Sequence, residues 1–577
     1  MVGGAMAPNR RIFSFNPSIV NLERSVKTRL LFQKQQDGSW GNVTMPDVKP
    51  YIRVSPFDKS HGLCAHCGDK VKETFKGHDP WCPNIALRVP ECEHLICTDC
   101  VSGTTPGDAC PACNERGGSG VIPPMRNIAT ERLANIQRRI LAITPYLRRL
   151  DHGEFSRQYI GRKKVFYENC ERKLENGALS RKDAFTRNFT KTEATKHKYK
   201  WVNGELIDDT DPRNISPREG TFNVAVGRYI KPAEPLLLGA LNKVLGHKIV
   251  MKGMNAAQIG EEIYRKWLRA GGNENAVAIG IDASRFDRSV SKIFLEFEHK
   301  FYTSLVAGGK ERKALAELLS WQIDNRGRAR CADGTLKYKV QGTRCSGDMN
   351  TGLGNCLIAS CMIIAYCEER KVPFELVNNG DDCVVIINKK YLKRFQFEFQ
   401  EYFTDMGFVM VTEKPVYELE QISFCQSQPV FDGQSWVMVR DPRNCTSKDC
   451  FSLKPWNNAK EYESWISAVG NSGVALAGGI PVLHAFYNSF LRAGRNAKPL
   501  SLKDPSLIGG LYWCSKGMNR KGLAVSDDAR YSFWRAFGIT PDAQVILEKQ
   551  YNETTPFFSA VRHDPEVYPF HEHGLLL

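Results

Sequence analysis

The sequence predicts a mixed α/β protein of several domains, with a small metal-stapled module ahead of its main body. Three observations lead there. At 577 residues the chain is long for one domain and suits roughly two to four. Eight of its 19 cysteines fall between Cys64 and Cys113, which marks a compact unit unlike the rest. From about residue 125 onward, β-branched runs such as those in "VNNGDDCVVI" (377–386) are interspersed with helical patterns, without repeats or low-complexity tracts.

Residues 1–50 form an N-terminal extension, in which "NPSIVNLERSVKTRLLF" (16–32) has helical periodicity after an Asn-Pro-Ser start. Residues 51–116 hold the cysteine-rich module. A linker and helix follow over 117–150, beginning in "NERGGSGVIPP" (114–124), whose Gly and Pro break regular structure. The main body runs over 151–460, and 461–577 is a C-terminal region rich in helical and aromatic segments.

An apolar content of 42% supports a large core. The net charge of +16 suits a polyanionic partner, with an anionic membrane surface as the rival explanation. "MVGGAMAPNRRIFSF" lacks the continuous apolar stretch of a signal peptide, and no uncharged apolar run reaches 18 residues. The nearest, "SGVALAGGIPVLHAFYNSFL" (472–491), contains Pro481 and His484 and reads as buried helix and loop. With no route to secretion expected, the cysteines read as free thiols and metal ligands.

The cysteine cluster has the pattern Cys64-x2-Cys67, 24 residues, Cys92-x-His94-x2-Cys97-x2-Cys100, nine residues, Cys110-x2-Cys113. A Cys-x2-Cys knuckle lets two thiolates reach one tetrahedral zinc from a tight turn, and eight ligands suffice for two closed sites. The order of seven cysteines and one histidine resembles a RING finger. The resemblance implies cross-bracing, with Cys64, Cys67, Cys97 and Cys100 on one Zn²⁺ and Cys92, His94, Cys110 and Cys113 on the other. His78 and Cys82, in the long gap, are better explained as surface loop residues. RING modules recruit ubiquitin-conjugating enzymes or serve as plain docking units, and no residue here separates the two.

Three further segments carry chemistry. In "AVAIGIDASRFDRSV" (276–290) an apolar β-like run delivers Asp282 at its end, with Asp287 five residues later. "GTRCSGDMNTGLGNCLIASCMIIAY" (342–366) is a Ser-Gly-rich loop running into an apolar helix. In 377–386 an Asn-Gly bend presents Asp381 and Asp382 between two strands, a hairpin signal carrying two like charges. As ordinary structure these are a helix N-cap, a glycine-lined loop and a solvated turn.

In this order and spacing they resemble motifs A, B and C of a viral RNA-dependent RNA polymerase. "VGRYIKP" (226–232), "SWQIDNRGRARCADGTLKYKV" (320–340) and "VYELEQISFCQSQPVFDG" (416–433) resemble the polymerases of carmovirus-like and tombusvirus-like plant viruses. The likeness covers most of 155–460. It implies a right-hand fold of fingers and palm over 151–460 and thumb over 461–577, preceded by the double-zinc module. It also implies copying of a positive-strand RNA genome, without a protein primer.

By the same resemblance Asp282 and Asp381 are the principal ligands of two Mg²⁺ (or Mn²⁺) ions, and Asp382 is an auxiliary one. Such a pair of ions, about 3.5–4 Å apart, stabilises the attacking and leaving oxygens of phosphoryl transfer. Asp287, with Asn355, Ser346 and Thr351, would face the ribose of the incoming nucleotide and favour a 2′-hydroxyl. "RNFTKTEATKHKYK" (187–200) and "DPRNISPRE" (211–219) resemble the basic motif F. There Lys191 and Arg213 match triphosphate contacts, with Arg218, Lys196 and Lys198 as helpers. Lys414 is the candidate general acid for pyrophosphate departure, against a plain surface lysine.

The implied partners are single-stranded RNA template, RNA duplex product and NTPs. A separate viral or host membrane-anchoring protein would bring the chain from the host cytoplasm to membrane-bound complexes, and the zinc module adds a ubiquitin-conjugating enzyme. The alternative is a RING-type ubiquitin ligase or interaction protein with an inactive polymerase fold. The full set Asp282, Asp287, Asn355, Asp381 and Asp382 speaks against it, because an inactive site need not keep them all.

Overall fold

The computed structural model describes residues 128–191, 213–331, 334–450, 458–500 and 517–556. To these it adds short strands between 32 and 97, the strands Tyr199–Val202 and Glu205–Asp208, and Leu511 and Ser515. The fold is mixed α/β, as the sequence predicts.

A four-stranded antiparallel sheet lies at the centre, in the order Phe374–Asn378, Cys383–Asn388, Ala276–Ala283, Met410–Thr412. The Ala276–Ala283 strand is apolar almost throughout because both its faces are covered. Val277, Ile279 and Ile281 enter the largest core, while Ala276 and Ala278 pack with Ile263 and Trp267 of the helix Ala256–Ala270. That helix starts in a capping box: the Asn255 side chain accepts from the Gln258 amide, and the Gln258 side chain accepts from that of Asn255.

The helix Thr351–Glu369 fills the other side of the sheet. All fifteen residues from Leu353 to Cys367 are buried, so it is apolar on every face. It has the length and hydropathy of a membrane span, but 83% of its apolar window is buried inside the protein. It is a core helix. The 472–491 segment is also helix and loop. The helices Ala459–Ala477 and Leu483–Ala493 are separated by a bend in which Gly479 and Val482 have φ of +76° and +64°.

A second four-stranded sheet has the order Asn214–Ile215, Thr186–Thr190, Asp324–Cys331, Gly334–Gln341. Its one parallel pair joins Thr186–Thr190 to Asp324–Cys331. The hydroxyls of Thr186 and Tyr338, hydrogen-bonded to each other, occupy the space above Gly327 that a Cβ would need. C-terminally, the helices Asp527–Phe537 and Pro541–Glu553 join the two named above around Trp465, Phe486, Phe533 and Leu547. The hairpin Ser427–Phe431/Trp436–Arg440 contributes Val430 and Val437 to the same core.

Of the expected zinc ligands, Cys97 closes the strand Leu95–Cys97. Cys64, Cys67, Cys92, His94, Cys100, Cys110 and Cys113 lie outside the described residues, as do His78, Cys82 and the 114–124 linker. The expected 16–32 helix also lies outside them, except that Phe32 begins the strand Phe32–Lys34.

Candidate active site

Asn378 and Cys383 are the last ladder pair of their hairpin, and the Asn379 amide donates to the Asp382 carbonyl at 3.0 Å. Gly380 and Asp381 are therefore the two turn residues. Gly380 has φ +100°, a conformation open to glycine at no steric cost. The sequence placed the bend on Asn379-Gly380; the register moves it one residue on and sets Asp381 at the tip. Fully buried Asn378 clamps the turn, accepting from the Gly380 amide at 3.1 Å and donating to the Gly380 carbonyl at 3.0 Å. An asparagine before a glycine signals a turn, but not this clamp.

Asp282 comes to the same place from the neighbouring strand. The ladder pairs Ala276 with Asn388 and proceeds to Ile281 with Cys383, so the next opposed positions are Asp282 and Asp382. Directly opposed like charges on one sheet face repel.

Two groups the sequence did not mark complete the surroundings. The Cys425 amide donates to Asp382 Oδ2 at 2.8 Å. It sits in a two-residue turn in which Cys425 and Gln426 have φ of +51° and +58°, closed by mutual hydrogen bonds between Phe424 and Ser427. Glu413, whose amide donates to the Gly280 carbonyl at 2.9 Å, lays its carboxylate over Gly280 where a Cβ would collide with it.

The carboxyls of Asp381, Asp382 and Glu413 are all raised above their ordinary range. Withdrawal from water is the largest cause in each case. To it are added the charges of Asp287, Asp382 and Asp282 on Asp381, that of Asp282 on Asp382, and those of Asp382 and Asp282 on Glu413. The Cys425 hydrogen bond works the other way on Asp382. Repelling carboxylates of this kind attract a divalent cation. Among the described residues no three His, Cys, Asp or Glu side chains already enclose an ion position. Magnesium needs only one or two carboxylates, with phosphate and water completing its shell. The donor set fits that requirement.

The network expected around the ribose is largely assembled. Ser346 Oγ donates to Asp287 Oδ2 at 2.7 Å, and Asn355 Nδ2 donates to Asp287 Oδ1 at 2.8 Å. Thr351 stands apart from it, because its hydroxyl donates to the Cys345 carbonyl at 3.1 Å. Lys414 is exposed just beyond the strand Met410–Thr412.

Of the basic residues, Lys191 and Arg213 are neighbours. The Lys191 amide donates to the Arg213 carbonyl at 2.8 Å, one step beyond the Thr190–Asn214 pair, and both residues are exposed. Arg218 is a correction. It is buried, held bidentately by Asp348 at 2.5 and 3.1 Å, and it also donates to the Ala184 carbonyl and Asn325 Oδ1, each at 2.6 Å. A guanidinium so occupied is a tie between segments, not a phosphate contact. Lys196 and Lys198 lie outside the described residues.

Comparison with known proteins identifies the family. Residues 114–558 match the family described as viral RNA-dependent RNA polymerase. The chain is 38% identical over 427 residues to the RNA-directed RNA polymerase of turnip crinkle virus, covering 73% of this chain and 52% of that one. It is 39% identical over 397 residues to that of carnation mottle virus, covering 69% and 50%. With that of tobacco necrosis virus strain A it shares 40% over 399 residues, covering 69% and 53%. The chain thus spans about half the length of the curated relatives it matches.

Proposed function

The chain belongs to the viral RNA-dependent RNA polymerase family, and from that premise we propose that it is an RNA-directed RNA polymerase. It adds ribonucleotides from NTPs to an RNA 3′ end under the direction of a single-stranded template, so replicating a positive-strand genome. One observation carries the reading: Asp282 and Asp382 come level beside Asp381 at the turn tip, and Asn355, which with Ser346 holds Asp287, packs against Gly380 of that same turn. Carboxylates for metal and a polar group for the sugar are thus adjacent.

Asp282 and Asp381 would hold two Mg²⁺ or Mn²⁺ ions, with Asp382 auxiliary. Bound there, the ions neutralise charge on the attacking and leaving oxygens of an in-line displacement. Asp287, Asn355 and Ser346 orient the sugar. Lys191 and Arg213, neighbours at the end of the Thr186–Thr190/Asn214–Ile215 strand pair, would receive triphosphate, and Lys414 is the candidate proton donor to pyrophosphate. In this reading the central sheet is the palm, the Thr186–Gln341 sheet belongs to the fingers over 151–460, and the helices of 461–577 are the thumb over product duplex.

The 51–116 module is proposed to hold two Zn²⁺ ions through the eight ligands named above. The paired strands Gly62–Leu63 and Lys70–Val71, which bracket Cys64 and Cys67 in the chain, support a knuckle there. Metal analysis of the purified chain should return two zinc equivalents. A ubiquitin-conjugating partner rests on the RING resemblance alone, and auto-ubiquitination by residues 50–120 tests it. Recruitment from the host cytoplasm by a separate membrane-anchoring protein is likewise proposed from the family resemblance. A firmly membrane-embedded product on expressing this chain alone would contradict it.

The polymerase reading is tested by NTP incorporation on an RNA template with Mg²⁺, comparing wild type with Asp381→Ala. Loss of incorporation in the variant is expected, and equal activity would sink the assignment. An inactive fold carried by a ligase is not favoured by any feature of the site.

A further inference from the structure

Behind Asp287 and Asn355 lies a buried ionic group that the proposed chemistry does not use. Arg344 and Glu298 form an ion pair with both side chains fully buried. Glu298 also accepts from Tyr302 at 2.7 Å and from Asn350 at 2.6 Å, and Asn350 in turn accepts from Gln322 at 2.9 Å. Gly354, one residue before Asn355, leaves space for the pair; a Cβ there would strike both Glu298 and the Arg344 guanidinium.

Arg344 reaches the sugar-facing network twice. Its backbone amide donates to the Asp287 carbonyl at 2.8 Å, and its Nε donates to Asn355 Oδ1 at 3.0 Å. Arginine has donors only, so the Asn355 atom facing it must be the amide oxygen. The amide nitrogen is thereby turned to Asp287, whose carboxylate can only accept. One N–H of that nitrogen is used by Asp287 and the second remains. A 2′-hydroxyl, which both donates and accepts, is matched by that N–H and a remaining Asp287 lone pair.

A buried ion pair is a poor source of stability, because desolvation offsets most of its Coulombic gain. Here one guanidinium nitrogen, Nη1, is also buried without a hydrogen-bond partner. What the pair provides is orientation. We propose that Arg344 is a positioning residue for ribose selection, locking the Asn355 amide so that Asn355 and Asp287 present a donor and an acceptor to the 2′-hydroxyl. This rests on the polymerase reading above.

The test compares incorporation of an NTP and its 2′-deoxy counterpart by the purified full chain, wild type against Arg344→Lys. Lysine keeps a charge opposite Glu298 and lacks the Nε donor. The preference for the ribonucleotide should fall about tenfold, the effect of one lost hydrogen bond to a charged donor, mainly through a higher KM for the NTP. Deoxynucleotide use should hold. An unchanged ratio, or equal losses on both substrates, would overturn the inference. In an Asn355→Ala background Arg344→Lys should change the ratio no further, and an additional drop would also overturn it. If Arg344→Lys fails to fold, the pair Glu298→Gln with Arg344→Met leaves no unpaired charge and carries the same expectation. A wild-type chain that incorporates neither substrate removes the polymerase reading itself, and this inference with it.

Discussion

Asp282 and Asp382 each lie one step past the Ile281–Cys383 pair, Asp382 as the last residue of the turn, and the charge of Asp282 helps to raise the Asp382 carboxyl. A sheet built for stability would not place like charges there, since such a pair costs up to about 1 kcal/mol. Asp381 stands beside that pair, and the charges of Asp287, Asp382 and Asp282 all raise its carboxyl, so Asp381→Asn should abolish nucleotide incorporation while raising the melting temperature in chelator, because one repelling charge is gone. Thermal melts beside the incorporation assay check this. A variant that is both inactive and less stable would mean that the carboxylate is held by attractive contacts.

The raised carboxyls of Asp381, Asp382 and Glu413 set the sign of a pH effect. A folded-state pKa above the unfolded value means that the fold binds the proton more tightly, so the cost is full above the raised pKa and is relieved as pH falls through it. Stabilisation by Mg²⁺ should run in the opposite sense, largest at neutral pH and fading as these groups protonate. The difference in melting temperature between magnesium and chelator, followed from neutral to acid pH, reports it. The double variant Asp381→Asn, Asp382→Asn should flatten the curve, and a difference that grows toward acid would contradict the account.

Arg218 should behave differently from Lys191 and Arg213, the residues proposed to bind triphosphate. Removing one partner of its buried pair with Asp348 leaves an uncompensated charge, so Arg218→Ala should cost about 3–5 kcal/mol of stability. Lys191→Ala and Arg213→Ala, at exposed positions, should move stability by no more than about 0.5 kcal/mol and instead raise KM for NTP. Denaturation curves and KM values distinguish the two classes. A stable Arg218→Ala variant with a raised KM would restore the phosphate role.

What could be read from the sequence was what is local or carried by motif order. Asp282 at the end of an apolar run, the glycine-rich loop before an apolar helix, and the turn at Gly380 each announce themselves within a dozen residues. The resemblance that their order carries implies that Asp287, Ser346 and Asn355 meet. What stayed hidden depends on register and distant partners. Arg218 fits a phosphate-binding pattern until Asp348, supplied by another loop, is seen to occupy it. Glu413 matters because strand pairing lays it over Gly280. Cys425 reaches Asp382 through its backbone, from a turn with none of the usual turn residues at its centre.

That turn yields the last prediction. Cys425 and Gln426 both adopt left-handed conformations, which cost an L-residue roughly 1–2 kcal/mol each, and the result is an amide aimed at Asp382. The thiol also accepts from Asn379 Nδ2 at 3.2 Å and bears on Asp382 beside the amide, so two variants weigh the side chain against the backbone. Cys425→Gly removes the steric penalty while keeping the N–H, so it should retain most incorporation activity with little change in melting temperature. Cys425→Val adds branching at Cβ, which disfavours φ > 0; it should pull the amide from Asp382 and lower both activity and stability. Incorporation rates and melts for the two variants decide the matter. If glycine is as damaging as valine, the side chain and not the turn is what Asp382 requires.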